Sequence, residues 1–187
     1  IAGLEVSRRS GLNTREYLMG EFSEPLQVGK RYEFSFAIAN GDVYKHSTAG
    51  LGVSDLGVVF STEEVEQQLR EPISMHPQIS MTQIQYYQGW EIVKFAFTAT
   101  DNYEFFTFGL FGDDKGKDIE SFEGAGRTVA YYFVDDFSIR DLTSELNDNN
   151  LDSRGDMSNL FNLETSTFVP TAFTPNNDGL NDVFAPS

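Results

Sequence analysis

The sequence predicts an all-β fold, an antiparallel sandwich with one short helix, and three observations carry that prediction. Aromatic residues make up 14% of the chain, with 17 Phe and 8 Tyr, and they fall in short runs divided by polar residues, which suits pleated strands better than helices. The run from Arg31 to Asn40 alternates, placing Tyr32, Phe34, Phe36 and Ile38 on one face and Glu33, Ser35, Ala37 and Ala39 on the other. Turn-forming clusters recur between such runs, at Pro25 to Lys30, Asn40-Gly41-Asp42 and Gly124-Ala125-Gly126. About six strands separated by turns indicate two packed antiparallel layers.

Taken in order, residues 1 to 15 show only a weak pattern, and Arg8-Arg9-Ser10-Gly11 reads as loop. Tyr17-Leu18-Met19 and Phe22 form the first expected strand, Arg31 to Asn40 the second and Leu56 to Phe60 the third. Ser61-Thr62-Glu63-Glu64 has the form of a capping box, with Ser61 as N-cap and Val65, Gln68 and Leu69 after it, so one short helix is expected there, closed by Pro72. Trp90 to Thr100 reads as a strand with Val93, Phe95 and Phe97 inward and Lys94 and Thr98 outward. Tyr103 to Phe111 is apolar on both faces, as a strand covered on both sides would be. In Val129 to Ile139, counting by two from Ile139 puts Phe137, Asp135, Phe133 and Tyr131 on one face. If that face is the core, the Asp135 carboxylate needs a partner.

Residues 142 to 166 lose periodicity and are rich in Asn, Asp and Ser, the composition of a linker. Strand character returns at Phe168, Val169 and Phe173, passes through the turn residues Pro175 to Gly179 and resumes at Val183-Phe184. That reads as a second domain opening. The expected organisation is therefore a module over 1–141, a linker over 142–166 and the start of another domain over 167–187.

Acidic residues outnumber basic ones 29 to 13, for a net charge of −16, which argues against nucleic acid or an anionic membrane surface as partner. Calcium or a neutral glycan suits the charge, and so does a solvated acidic exterior kept for solubility. Cysteine is absent, excluding disulfides and thiolate chemistry. No run of 18 apolar residues offers a membrane span. The first residue is Ile with no leader behind it, so a mature or internal piece is expected. His46 and His76 are the only histidines and stand in no ligand spacing. No nucleophile elbow, phosphate loop or zinc motif occurs, and Asp135 and Asp136, as neighbours on a strand, cannot flank one bond. A non-catalytic chain is expected. Tyr86 and Tyr87 beside Gly89, Tyr44 in a loop and Trp90 are candidate glycan platforms, though Trp90 is better suited to the core.

Two resemblances extend this reading. The tail FVPTAFTPNNDGLNDVFAPS resembles the start of the type B sorting domain of the Bacteroidetes Type 9 secretion system, also called the gliding-motility-associated C-terminal domain. Pro170, Phe173, Pro175, Asn176, Asp178, Gly179, Asn181, Asp182 and Phe184 carry the match. It implies an Ig-like sandwich recognised by the outer-membrane translocon and a PorP/SprF-like or PorV-like barrel, and hence an extracellular, cell-surface location. The tail's Asn176 to Gly179 loop is not an EF-hand, since Thr174 and Ala185 stand where acidic ligands belong.

Upstream, Glu16-Tyr17-Leu18, Pro25 to Phe36, Trp90 with Val93, Phe106 to Gly109 and Tyr131 to Ile139 look like the jelly-roll module that often precedes such domains. That module is similar to carbohydrate-binding modules of galactose-binding-like fold. Its first strand would lie upstream of Glu16 and is not evident, so a chain clipped at both ends is expected. The resemblance implies a structural Ca²⁺ held by Asp135, with Asp136 a lesser candidate. Against it stands Asp135 as an acceptor of backbone or Tyr hydrogen bonds. The expected function is a secreted, non-catalytic adhesin or binding module with a sorting signal; the alternative is the carbohydrate-binding module of a polysaccharide-degrading enzyme.

Overall fold

The computed structural model describes residues 1–9, 13–41, 48–122 and 127–143, and every named element within them is a β-strand. In chain order these are β1 (Ala2–Arg8), β2 (Leu18–Glu21), β3 (Arg31–Asn40), β4 (Leu51–Val53), β5 (Leu56–Ser61), β6 (Ile79–Met81), β7 (Glu91–Thr98), β8 (Phe105–Leu110), β9 (Ile119–Ser121) and β10 (Val129–Asp141). One antiparallel sheet has the order β1-β10-β3-β7, a second β2-β8-β5-β6, and β4 with β9 forms a two-stranded ribbon. The all-β, antiparallel expectation is met.

The two four-stranded sheets meet through aromatic side chains. Phe34 and Phe36 of β3 and Phe137 of β10 face Phe106 and Phe108 of β8, with Phe36 and Phe108 ring centroids 4.9 Å apart and Phe106 and Phe137 5.0 Å apart. Phe60 of β5 stacks on Phe97 of β7 at 4.3 Å. Burying each such ring stabilises the fold by roughly 1.5–3 kcal/mol, so these contacts dominate what holds the layers together. Strand β3 obeys its alternation, with Tyr32, Phe34, Phe36 and Ile38 all buried. Strand β8 is buried along nearly its whole length because β2 and β5 flank it and it lies inside the second sheet.

Four expectations are corrected. The segment before Glu16 is not patternless: β1 buries Leu4 and Val6 and pairs antiparallel with β10, so the first strand is present. The helix expected after Ser61 does not form. Ser61 instead continues β5 opposite Phe105, and its carbonyl accepts from the Glu104 N–H at 2.9 Å. Val65 packs against the Tyr17, Val59, Ile73 and Phe111 cluster, and Leu69 takes a left-handed φ of 54°, so tertiary contacts override the capping signal. Trp90 is 37% exposed and does not belong to the core.

The fourth correction concerns Asp135. Between Asp135 and Ser138 the β10·β3 register slips, Asp135 pairing with Ala37 and Ser138 with Ser35, so β10 carries one extra residue there. Asp136 takes a left-handed φ of 51°, which Asp tolerates better than most residues. The inner face therefore runs Tyr132, Val134, Phe137, and Asp135 lies with Tyr131 and Phe133 on the outer face.

Candidate functional site

The bulge in β10 turns an expected core face outward, away from the second sheet. Tyr131 and Phe133 lie on the outer face of the first sheet, half-buried, with ring centroids 5.3 Å apart at 66°. Phe133 pairs with Gly3 of β1 and with Ala39 of β3. A Cβ placed on Gly41 would stand 2.7 Å from Cδ1 of Tyr131, and one on Gly3 would run into the Tyr131 hydroxyl. Glycine on both sides thus leaves the Tyr131 ring room to lie down across the sheet.

Along the strands from this pair the face carries small side chains on β3 and a carboxylate on β10, Asp135, whose Oδ1 lies 3.3 Å from the Ile1 amino group. Ala39 and Ala37 follow on β3, and Ile92 of β7, opposite Ala37, is 70% exposed. Next comes a hydroxyl pair, Ser35 Oγ and Ser138 Oγ, 2.8 Å apart. Beyond it, Glu33 Oε1 accepts from Lys94 Nζ at 3.4 Å and from Arg140 Nη2 at 3.3 Å. One face therefore carries a half-buried aromatic pair, the Asp135 carboxylate, a hydroxyl pair and the Glu33 ion pairs in sequence.

The structure separates the two neighbouring tyrosines named from the sequence. Tyr86 stacks on Phe122 at 4.3 Å and 13°, and Phe122 is 47% exposed, so these two form a smaller aromatic surface beside Gly52. Tyr87 turns inward against the core, its hydroxyl donating to Gln85 Oε1 and its carbonyl accepting from the Asn40 N–H at 3.0 Å. Burial, and then the charge of Glu91, raise the pKa of that hydroxyl. Tyr44 and the sorting-motif positions Pro170, Phe173, Pro175, Asn176, Asp178, Gly179, Asn181, Asp182 and Phe184 lie outside the described residues. Nothing in the alternation pointed to Tyr131 and Phe133 as outward-facing. The signals available were Asp135-Asp136, a pair able to host a bulge, and glycines on the flanking strands.

The calcium expected at Asp135 and Asp136 finds no cluster of side-chain ligands among the described residues. Calcium takes about six to eight oxygens, and among the described residues no group of three or more His, Cys, Asp or Glu side chains could hold a metal. Asp135 Oδ1 accepts from the Asp136 N–H at 3.0 Å, a local bond that steadies the bulge. Asp136 is exposed on the bulge itself.

No family model matches this chain, and no curated protein does. Among solved structures it is similar to a chain described as "PbXyn10C CBM APO", with a TM-score of 0.40 and 13% identity over 74% of this chain and 65% of that one.

Proposed function

We propose that the sandwich is a non-catalytic carbohydrate-binding module of an exported protein and that a glycan lies on the outer face of the first sheet, over Tyr131 and Phe133. The observation that supports this most is the aromatic pair itself, half-buried on the outer face of the first sheet with glycine on either side of Tyr131. Sugar rings present C–H faces that pack on the electron-rich face of an aromatic ring, while their hydroxyls seek donors and acceptors such as Ser35, Ser138 and Glu33. A jelly-roll connectivity of galactose-binding-like type is part of the same reading.

A glycan array probed with the full chain, followed by titration of the best ligand, tests it. Tyr131→Ala and Phe133→Ala should each abolish saturable binding while Tyr86→Ala leaves it intact. Binding that survives at Tyr131→Ala but fails at Tyr86→Ala would move the site to the Tyr86–Phe122 stack.

Export belongs to the same proposal and rests on the tail residues from Pro170 to Phe184, whose order resembles a type B sorting domain. A chain deleted from Phe168 onward should fail to reach the cell surface. Surface display equal to that of the intact chain would remove the sorting role. The adhesin reading differs from the enzyme-borne module only in what else the whole protein carries.

A further inference from the structure

Strand β7 ends the first sheet on one side, next to β3. The direction of its backbone groups follows from two bonds at its end: the Ala99 N–H donates to the Lys30 carbonyl at 2.9 Å, and the Leu142 N–H donates to the Arg31 carbonyl at 2.7 Å. Backbone groups alternate along a strand, so Tyr32, Phe34, Phe36 and Ile38 bond toward β7, and their partners Phe97, Phe95, Val93 and Glu91 bond back. The N–H and C=O groups of Ile92, Lys94, Ala96 and Thr98 therefore point out of the sheet, and among the described residues no further strand meets them.

The other sheet edges are covered or short. On β1 the Glu5 carbonyl accepts from the Glu16 N–H at 3.0 Å, and the Glu5 N–H donates to Glu16 Oε2 at 2.6 Å. Strands β2 and β6 have four and three residues, against eight in β7. Edges are commonly blunted by proline, a bulge or lysine. β7 contains no proline, its register against β3 runs unbroken from Glu91 to Thr98, and its one lysine, Lys94, reaches back over its own sheet to Glu33 at 3.4 Å. Ile92 is exposed and Val93, Phe95 and Phe97 are half-buried, so this edge presents apolar side chains along with its backbone groups.

We infer that β7 pairs antiparallel with β7 of a second copy of this chain, joining the two first sheets into one of eight strands. A two-fold axis through the strand brings the outward groups of the two copies together in two registers that use most of its length. Centred on Lys94, the pairing sets two lysines face to face. Centred on Phe95, it sets Lys94 opposite Ala96, Ile92 opposite Thr98 and Val93 opposite Phe97 of the second copy, with no like charges opposed. The second register is the one assigned. A contact one strand long, roughly 27 Å, belongs with small and reversible interfaces.

Sedimentation velocity of the full chain tests this at about 0.15 M salt, where repulsion between two acidic copies is largely screened. The weight-average coefficient should rise between low and high micromolar protein. Ala96→Pro removes only an outward N–H, so it should weaken the dimer about tenfold or more and keep the parent's circular dichroism. Ala96→Lys sets a lysine against Lys94 of the second copy, and Ala96→Glu sets an acid there. The dissociation constant should rise about twofold to tenfold in the first and fall by as much in the second. Within its own sheet Ala96 lies opposite Glu33, so effects on folding would run the other way. A monomer at every concentration overturns the inference, whether the amides of Ile92, Lys94 and Ala96 exchange freely or are slowed by another stretch of the same chain. So does a dimer that ignores Ala96→Pro, or one that responds alike to Ala96→Lys and Ala96→Glu.

Discussion

Gly41 and Tyr131 face each other across the β3–β10 edge so closely that a Cβ on Gly41 would come within 2.7 Å of the ring and 2.9 Å of the Tyr131 Cβ. The ring's position on the outer face depends on that missing methyl group. Gly41→Ala should therefore displace Tyr131 and weaken glycan binding about tenfold or more, a loss comparable to removing one well-placed contact. Far-ultraviolet circular dichroism should remain that of the parent. Unchanged affinity would show that the ring position does not matter to the ligand.

Phe137 links the two layers, lying within 5.1 Å of Phe36 and 5.0 Å of Phe106 by ring centroid. It is also the first inward residue after the bulge. Phe137→Ala should destabilise the fold by about 3–5 kcal/mol through lost burial and the cavity left behind. Urea unfolding measures it, and a loss below about 1 kcal/mol would mean that the layers close over the gap.

Arg15 is fully buried, and its Nη2 donates to Asp114 Oδ1 at 2.6 Å while Nη1 donates to the Thr14 carbonyl at 3.1 Å. Asp114 is partly exposed, so solvent can take over some of its role. Asp114→Ala should cost about 1–3 kcal/mol, because it leaves a guanidinium in a site with little else to balance it. Arg15→Met together with Asp114→Ala should cost less than the single change, a difference that a double-mutant cycle reads directly.

Tyr17 donates its hydroxyl to the Leu110 carbonyl at 2.8 Å and accepts from the Ile73 N–H at 2.9 Å. Burial pushes its pKa up to about 12, partly offset by the Ile73 bond and by the charge of Arg15. Burial also raises Tyr132, against the Val53 bond that lowers it. Both groups stay protonated in the folded state after the unfolded chain has begun to ionise near pH 10. Their contribution is complete below about pH 10 and is lost as pH rises toward the folded values, by about 1.4 kcal/mol per pH unit for each tyrosine. Alkaline unfolding curves should steepen above pH 10, and Tyr17→Phe should make them shallower.

Calcium should have little effect on the described sandwich. Thermal unfolding with millimolar calcium and with chelator should give the same midpoint. A midpoint raised by calcium, with the increase lost in Asp135→Ala, would restore Asp135 as a ligand.

Much of the architecture is legible in the residues themselves. A period of two in Arg31 to Asn40, apolar residues on both faces of Phe105 to Leu110 and turn clusters between the runs are local properties, and burying aromatic side chains in two layers follows from them. The short β1 is harder to read, because its inward pair, Leu4 and Val6, is flanked by Gly3, Glu5 and Ser7 and becomes a strand only by pairing with β10. The capping box at Ser61 is a real local signal that loses to the β5–β8 ladder.

The site turns on a single inserted residue. In β10 both alternation sets are rich in apolar side chains, Tyr131 and Phe133 on one and Ala130, Tyr132 and Val134 on the other, so periodicity cannot tell which faces the core. The sequence by itself determined an acidic all-β chain with an aromatic core. Only the tertiary structure decided which aromatics stay outside, because a bulge at Asp135-Asp136 reverses the inward set and its presence depends on how β10 registers against β3.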